Sequence, residues 1–317
     1  MDRSALDWPA GVTVYNPEKC YNGFTLVSDG VWWELIDMKG RIVNRWYGDP
    51  ELKLGTQIFE RFANGNYVSN CFHVTEQDWD GNVLWSLPFE REGRPSSSKY
   101  HHDIQRLSNG NYIVMVREYV DDLKISKVRL QDDHLMEVTP EKRIVWEWWG
   151  HEHFDEFEFT DEAKKIIHET GGGEVGAHPP PREEWFLGDW LHNNTISVLP
   201  KNPLYQDGDS RFKPGNLLLC SRNTNTVFII DKSGSIVWKW GSLPKMRGFW
   251  ILGVGDTRNC LVGPHDPNML DNGNILIYDN GGSGGYPPVV RFFTRLVEIN
   301  PASGEIVWEY VYTPSPR

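Results

Sequence analysis

The sequence predicts an all-β fold, a β-propeller of four-stranded blades, and three observations carry that expectation. First, a closing strand reading Ile-Val-Trp, or close to it, recurs along the 317 residues: Ile42-Val43 with Trp46, Val83-Leu84-Trp85, Ile144-Val145-Trp146, Ile236-Val237-Trp238 and Ile306-Val307-Trp308. Second, a turn signal stands ahead of each: Asn22-Gly23, Asn64-Gly65, Asn109-Gly110, Pro214-Gly215 and Asn272-Gly273. Asn-Gly between apolar runs marks a hairpin, because both central residues of a type I′ turn need positive φ. Third, each unit has room for about four short strands, and a repeat of roughly 40 residues or more with four strands is the signature of a propeller blade.

Five repeats are visible, at about residues 12–48, 55–89, 99–150, 190–241 and 262–312. Their even spread favours one propeller domain over residues 1–317. Fifteen Trp, twelve Tyr and fourteen Phe suit twisted sheets that bury rings against one another. Two insertions interrupt the repeats, at 151–189 and 242–262. Each leads into the first strand of a blade, so both are expected on the same face as lids or binding loops. Within the first, Thr160 to Glu169 reads as a short helix, capped by Thr160 and stopped by Gly171-Gly172-Gly173, with Pro179-Pro180-Pro181 stiffening the chain beyond it. The run from Gly281 to Tyr286 offers backbone N–H groups that could approach a ligand on that face.

A formal net charge of −12 argues against nucleic acid as a partner, since phosphate binding wants a basic face. No stretch of 18 apolar residues exists to span a membrane, and residues 1–11 lack the basic start and apolar run of a secretion signal. The expected location is cytoplasmic, or periplasmic for a trimmed chain. Cys20, Cys71, Cys220 and Cys260 form no CxxC pair and read as buried free thiols.

The first two strands of each blade carry the functional argument. A two-residue turn at Asn109-Gly110 places His102 opposite Arg117, and the same register at Asn272-Gly273 places His265 opposite Asn280. In the first two blades the same slots hold Tyr15 with Gly30, and Gln57 with Phe72. In the fourth, Leu191-His192-Asn193 parallels His102-Asp103 and His265-Asp266, while Arg222 closes the second strand as Arg117 does. Since the first strand of every blade starts at the rim where the second ends, His102, His192, His265, Arg117 and Arg222 are expected to converge at a channel mouth. Tyr15, Gln57 and Asn280 are expected nearby as substrate contacts.

Arginines match the oxygens of sulfate, phosphate or carboxylate, so the expected substrate is a small anionic or aromatic molecule. A neutral histidine is a nucleophile or general base near pH 7. Together they describe group transfer to or from an oxyanion: one imidazole attacks, and the others donate to the oxygens and the leaving group. Neighbouring arginines would also depress a histidine pKa and keep it unprotonated.

The segments Tyr100-His101-His102-Asp103 with Asn109-Gly110-Asn111, Asp189-Trp190-Leu191-His192 with Ser221-Arg222, and Gly263-Pro264-His265-Asp266 with Asp279-Asn280-Gly281 resemble the bacterial arylsulfate sulfotransferase family over about residues 12–312. The resemblance implies six blades and a ping-pong reaction, in which a histidine takes sulfate from an aryl sulfate and passes it to a phenol. It places the nucleophile on His265, and sulfate-binding and proton-handling roles on His102, His192 and Arg222, with no cofactor and no metal. Arg117 rests on the hairpin register alone.

Three other readings stand beside this one. The same histidines could serve a lyase or hydrolase as acid and base on an anionic small molecule or glycoside. Three imidazoles could bind a metal, and His151-Glu152-His153 with Asp155 and Glu156 is a separate metal candidate. A non-enzymatic scaffold would need no matched His and Arg.

Overall fold

The computed structural model describes residues 12, 14–28, 32–49, 58–61, 64–70, 73–88, 99–173, 188–241 and 260–311. Among them the chain is all-β, and the fold class is the β-propeller: five antiparallel sheets in chain order, each a blade. Among the described residues there are five blades, where the family resemblance implies six. Contacts divide the chain into two compact units, residues 1–89 and 90–317.

The first unit carries two blades. Blade 1 consists of β1 (Phe24–Ser28), β2 (Trp32–Asp37) and β3 (Ile42–Tyr47), and blade 2 of β4 (Ile58–Arg61), β5 (Tyr67–Asn70), β6 (His73–Gln77) and β7 (Val83–Pro88). Trp46 and Tyr67 are buried between them against Leu26, Trp33 and Leu35. Among the described residues blade 1 has three strands rather than four, and Asn22-Gly23 is not its hairpin turn. The chain before β1 is held locally, with the Tyr15 hydroxyl donating to Asn22 Oδ1 at 2.5 Å. The expected pairing of Tyr15 with Gly30 is therefore not made by Tyr15, which lies outside any strand, and Gly30 lies outside the described residues. Gln57, Phe72 and Cys71 lie outside them too. Cys20 is exposed, against the expectation of a buried thiol, while Cys220 and Cys260 are buried.

The second unit carries the other three blades. Blade 3 is β8 (Lys99–Arg106), β9 (Tyr112–Val120), β10 (Leu130–Val138) and β11 (Ile144–Trp149), and blade 4 is β12 (Asn193–Val198), β13 (Leu217–Ser221), β14 (Thr226–Ile230) and β15 (Ile236–Trp240). Blade 5 starts with β16 (Pro264–Met269) and β17 (Ile275–Asp279), is interrupted by a small hairpin of β18 (Gly282–Gly284) and β19 (Val289–Arg291), and ends with β20 (Arg295–Asn300) and β21 (Glu305–Val311). Successive side chains of a strand point to opposite faces, and blade 4 is covered on both. Leu217, Leu219, Phe228 and Ile230 pack with Met115, Leu135 and Trp148 of blade 3. Leu218, Cys220, Val227 and Ile229 pack with Ile275, Ile277 and Val297 of blade 5. That is why β13 and β14 read as unbroken apolar runs rather than alternating ones.

The repeated sequence phrases have separate jobs. The tryptophan four residues into a closing strand bonds to an outer turn of the next blade: Trp46 Nε1 donates to Trp79 O at 3.0 Å in the first unit. In the second unit Trp148 Nε1 donates to Gly234 O at 3.0 Å and Trp240 Nε1 to Gly304 O at 2.9 Å. At the inner turns, Asn109 Oδ1 accepts the Asn111 N–H, and both side-chain amides donate to Glu137 of the third strand. Asn272, Asn274 and Glu298 repeat this in blade 5, and Asn64, Asn66 and Glu76 in blade 2. The turns themselves differ from expectation. Gly110 and Gly273 have φ of 87° and 84°, but Asn109 and Asn272 do not have positive φ. The loop closes through Leu107 N to Asn111 O and Gly110 N to Leu107 O, a three-residue turn with a left-handed glycine rather than a type I′ turn. This shifts every cross-strand partner by one from the sequence expectation.

The first insertion begins with a 3-10 helix over Gly150–Phe157 and continues into α1 (Asp161–Thr170). The Thr160 hydroxyl caps α1 by accepting Ala163 N, and Gly171 at φ 73° ends it. The segments 174–187 and 242–259, with the Pro179–Pro181 run and most of the second insertion, lie outside the described residues. Among the described residues no helix is long and apolar enough to cross a membrane.

Trp148 is fully buried and supplies one of the blade-to-blade bonds. Trp148→Phe should therefore lower stability by roughly 2–4 kcal/mol, from the orphaned Gly234 carbonyl and the space left by the indole. Thermal unfolding should show this as a drop in Tm of several degrees with the far-UV spectrum unchanged, and an unaltered Tm would remove the joint's importance.

Candidate active site

The site is built in the second unit, where the first strands β8, β12 and β16 lie side by side. Their alignment is fixed by polar groups of one blade that accept or donate to the backbone of the next. Asp103 Oδ2 accepts Ile196 N and Asp133 Oδ2 accepts Asn193 N, each at 2.6 Å. Asn194 Nδ2 donates to Pro264 O at 2.9 Å, and the Thr195 hydroxyl accepts Asp266 N at 2.9 Å.

Each of these strands is broken by a bulge beside a residue in the left-handed region. The φ values are 51° at His102, 52° at His192 and 47° at Asp266. The ladder slips between Tyr100 and Ile104, between Asn193 and Thr195, and between His265 and Asn268. A non-glycine residue in this region is strained, and bulges re-aim side chains next to functional sites. The bulges and the turn geometry correct the sequence register: Arg117 faces Lys99 rather than His102, and His265 faces Tyr278 rather than Asn280. The three histidines also do not occupy one slot, because His265 precedes its kink whereas His102 and His192 are the kinks themselves.

The imidazoles nevertheless gather. The rings of His102 and His192 meet edge to face with centroids 4.9 Å apart. Burial pushes the His102 pKa far down, and the neighbouring His101, His192 and Arg117 add to it. His265 is likewise lowered, by burial first and then by the charges of Arg222 and His192, against a raising effect of its bond to Gly263. That bond, Nδ1 to Gly263 O at 2.9 Å, fixes the tautomer of the neutral ring, with the proton on Nδ1 and the lone pair on Nε2. Arg222 is held by its own N–H to His192 O at 3.2 Å and by Nη1 to Asn223 Oδ1 at 2.8 Å.

Behind this group lie residues whose roles the sequence did not disclose. Asp189 Oδ2 is 2.6 Å from His192 Nδ1 and 3.8 Å from Arg117 Nη2. Burial would raise its pKa, but His192, Arg117 and His101 outweigh that and hold it at about 2. Asp133, directly across β9/β10 from Arg117, is pushed up to about 8 by burial and by the charge of Asp189. His101 lies between Asp133 and His102, with Nδ1 2.8 Å from His102 Nδ1 and Nε2 3.1 Å from Asp133 Oδ1. The visible signals were the Asp189-to-His192 spacing and the Asp132-Asp133-His134 run, three ionisable residues in the middle of a wholly buried strand.

Asn280 is exposed beyond the end of β17, and its carbonyl accepts the Thr294 hydroxyl. Tyr15 belongs to the first unit. Two N–H groups of the glycine run are committed to the backbone rather than offered to a ligand: Gly281 N donates to Val262 O and Gly285 N to Asn223 O. Its small residues let the loop approach Arg222 and Asn225, since a Cβ on Gly284 would come within 2.3 Å of Asn225 Oδ1. Tyr286 then reaches the first insertion, accepting Gly173 N and donating to Trp190 O. In the loop that suggested a metal, His151 is 2.7 Å from Asp132 and His153 is 2.6 Å from Glu156, so the two rings turn to separate carboxylates. No cluster of His, Cys, Asp and Glu suited to a metal occurs among the described residues.

Comparison with known proteins places this geometry. Several solved structures are similar: a protein of unknown function from Bacteroides caccae at 15% identity and TM-score 0.47, covering 92% of this chain and 73% of that one. Virginiamycin B lyase from Staphylococcus aureus is similar at 12% identity and TM-score 0.42, covering 91% and 69%. A streptogramin B lyase matches at 12% identity and TM-score 0.40, covering 93% and 83%. At these scores the likenesses carry no functional weight. No curated protein matches the chain. The arylsulfotransferase (ASST) family model matches residues 14–288, which span the segments that hold His102, His192, Arg222 and His265, and the chain belongs to that family.

Proposed function

We propose that this protein moves a sulfuryl group from an aryl sulfate to a phenolic acceptor through a sulfated His265. Family membership supports aryl sulfotransferase-type activity. The observation that carries the finer reading is the state of His265: Nδ1 is committed to Gly263 O, and burial, Arg222 and His192 all favour the neutral ring. A neutral imidazole with its lone pair on Nε2 is a nucleophile at ordinary pH.

In the first half-reaction Nε2 of His265 attacks sulfur; the S–N bond forms, the S–O bond to the aryl group breaks, and the aryl oxygen leaves with a proton from the cluster. In the second, a phenol oxygen attacks the sulfated histidine, S–O forms, S–N breaks, and the phenol proton passes back to the cluster. Arg222 is suited to the sulfuryl oxygens because its charge is permanent and its N–H groups spread in a plane. His102 and His192, side by side, are the groups available to handle the proton. A small anionic aromatic substrate fits this cluster.

Incubation with 4-nitrophenyl sulfate and phenol should release nitrophenol. Without acceptor it should leave one sulfo group on a peptide containing His265, read by mass spectrometry at alkaline pH. His265→Ala should lose release by about 1,000-fold or more; unchanged release would end the nucleophile assignment.

The pH profile supplies a second check. Since the folded-state pKa of His265 lies below the ordinary 6.5, the attacking form persists into acid. The acid limb of kcat/KM should therefore fall below pH 6.5. Arg222→Met removes a lowering charge, so it should reduce the rate and also move that limb to higher pH. A limb that stays in place would disconnect Arg222 from His265.

A further inference from the structure

A chain of buried groups runs back from His102 into blade 3. His102 Nδ1 is 2.8 Å from His101 Nδ1, and His101 Nε2 is 3.1 Å from Asp133 Oδ1. His101 and Asp133 are 1% and 2% exposed, so neither meets bulk solvent directly. Only one proton fits between the two Nδ1 atoms. When His101 holds it, His102 Nδ1 accepts, and the proton of neutral His102 is on Nε2. When His102 holds it, Nε2 carries a lone pair. The shared proton thus offers two tautomeric settings, one in which His102 is an acid at Nε2 and one in which it is a base, and Asp133 stands 3.1 Å from the other nitrogen of His101, close enough for a small turn of the ring to complete a hydrogen bond.

We propose that Asp133 and His101 form a proton relay that resets His102 between the two halves of the reaction, with Asp133 as the proton store. The proposal rests on the sulfotransfer reading of the same site. As the aryl oxygen leaves sulfur it takes the proton from His102 Nε2. His102 Nδ1 takes the one on His101 Nδ1, and His101 Nε2 takes the one on the Asp133 carboxyl, which ends as carboxylate. When the phenol attacks, its proton enters at His102 Nε2 and the same transfers run backwards, so no proton is gained or lost over the cycle. His101 and Asp133 act through His102 and are positioning residues.

The surroundings suit a store. Asp133 is faced by Asp132 on its own strand, Arg117 across the ladder, His101 from β8, and Asp189 and His192 from the chain leading into β12. Asp189 is held ionised by His192 and Arg117, and its negative charge raises Asp133 into the range where it carries a proton at neutral pH. Two carboxylates whose environments push their pKa values apart have divided the roles of anion and acid. The second oxygen of Asp133 accepts Asn193 N, which fixes the carboxyl's direction.

The test separates proton supply from structure by the leaving group. Nitrophenolate leaves with little protonation, whereas 4-methylphenolate, like tyrosine with a pKa of about 10, needs a proton. Asp133→Asn keeps an oxygen for Asn193 N, and His101→Gln keeps hydrogen bonding without two-way transfer. Both should lower kcat/KM for 4-methylphenyl sulfate by about 100-fold or more and for 4-nitrophenyl sulfate by less than about 10-fold. Equal losses on both donors, or none on either, would overturn the relay. Should the wild-type protein turn over neither donor, the sulfotransfer reading fails separately. Nitrogen-15 NMR of the imidazoles then decides the relay: His101 and His102 should respond together to a one-proton step near pH 8. That step should be missing in Asp133→Asn, and imidazole signals indifferent to that change would sink the proposal.

Discussion

The structure around the site depends on one constraint: a buried carboxylate of one blade must find donors, and the donors it finds are backbone amides of the next. Asp103 and Asp133 of blade 3 accept N–H groups from β12, and Asn194 and Thr195 of blade 4 reach the backbone of β16 in the same way. Apolar packing between blades presses the sheets together but has no preferred register. These directional bonds supply it, and with it the distance between the first-strand histidines.

The same bonds explain why strain is tolerated there. Left-handed backbone at His102, His192 and Asp266 costs of order 1–3 kcal/mol each and survives where surroundings over-determine it. Asp103 follows His102, Asn193 follows His192, and Asp266 is itself the residue whose N–H is taken by Thr195. Each kink is thus pinned at or immediately beside its turning point, and the imidazoles of His102 and His192 meet edge to face.

Electrostatics in this cluster is a division of labour between like groups. Asp189 sits beside His192 and Arg117 and is an anion; Asp133, wholly buried and near that negative charge, favours the proton. His265 and His102 are kept neutral by burial and nearby cations. Arg291 and Arg295 close on Asp279 at the end of β17, beside the Tyr278 that pairs with His265, and this fully buried ion cluster holds the strand in place.

Much of this was legible in the residues. The Ile-Val-Trp strands, the Asn-Gly turns, the capped helix α1 and the identities of His102, His192, Arg222 and His265 are local statements, written in side-chain type and short spacing, so a linear reading finds them. The pairing partners were not. One left-handed glycine in place of a two-residue turn moved the register by one, and bulges beside the histidines moved it again, so Arg117 entered the cluster through Asp189 rather than opposite His102, and Tyr278 rather than Asn280 pairs with His265. Asp133, His101 and Asp189 acquire their character from burial and from one another across strands far apart in sequence. By itself the sequence determined the blades and the chemical types at their first strands, because those follow from periodicity and local backbone preference. Tertiary structure alone decided how Asp133 and Asp189 differ in their hold on a proton and which pairs meet, because these depend on distance and dielectric, and neither exists until the blades have packed.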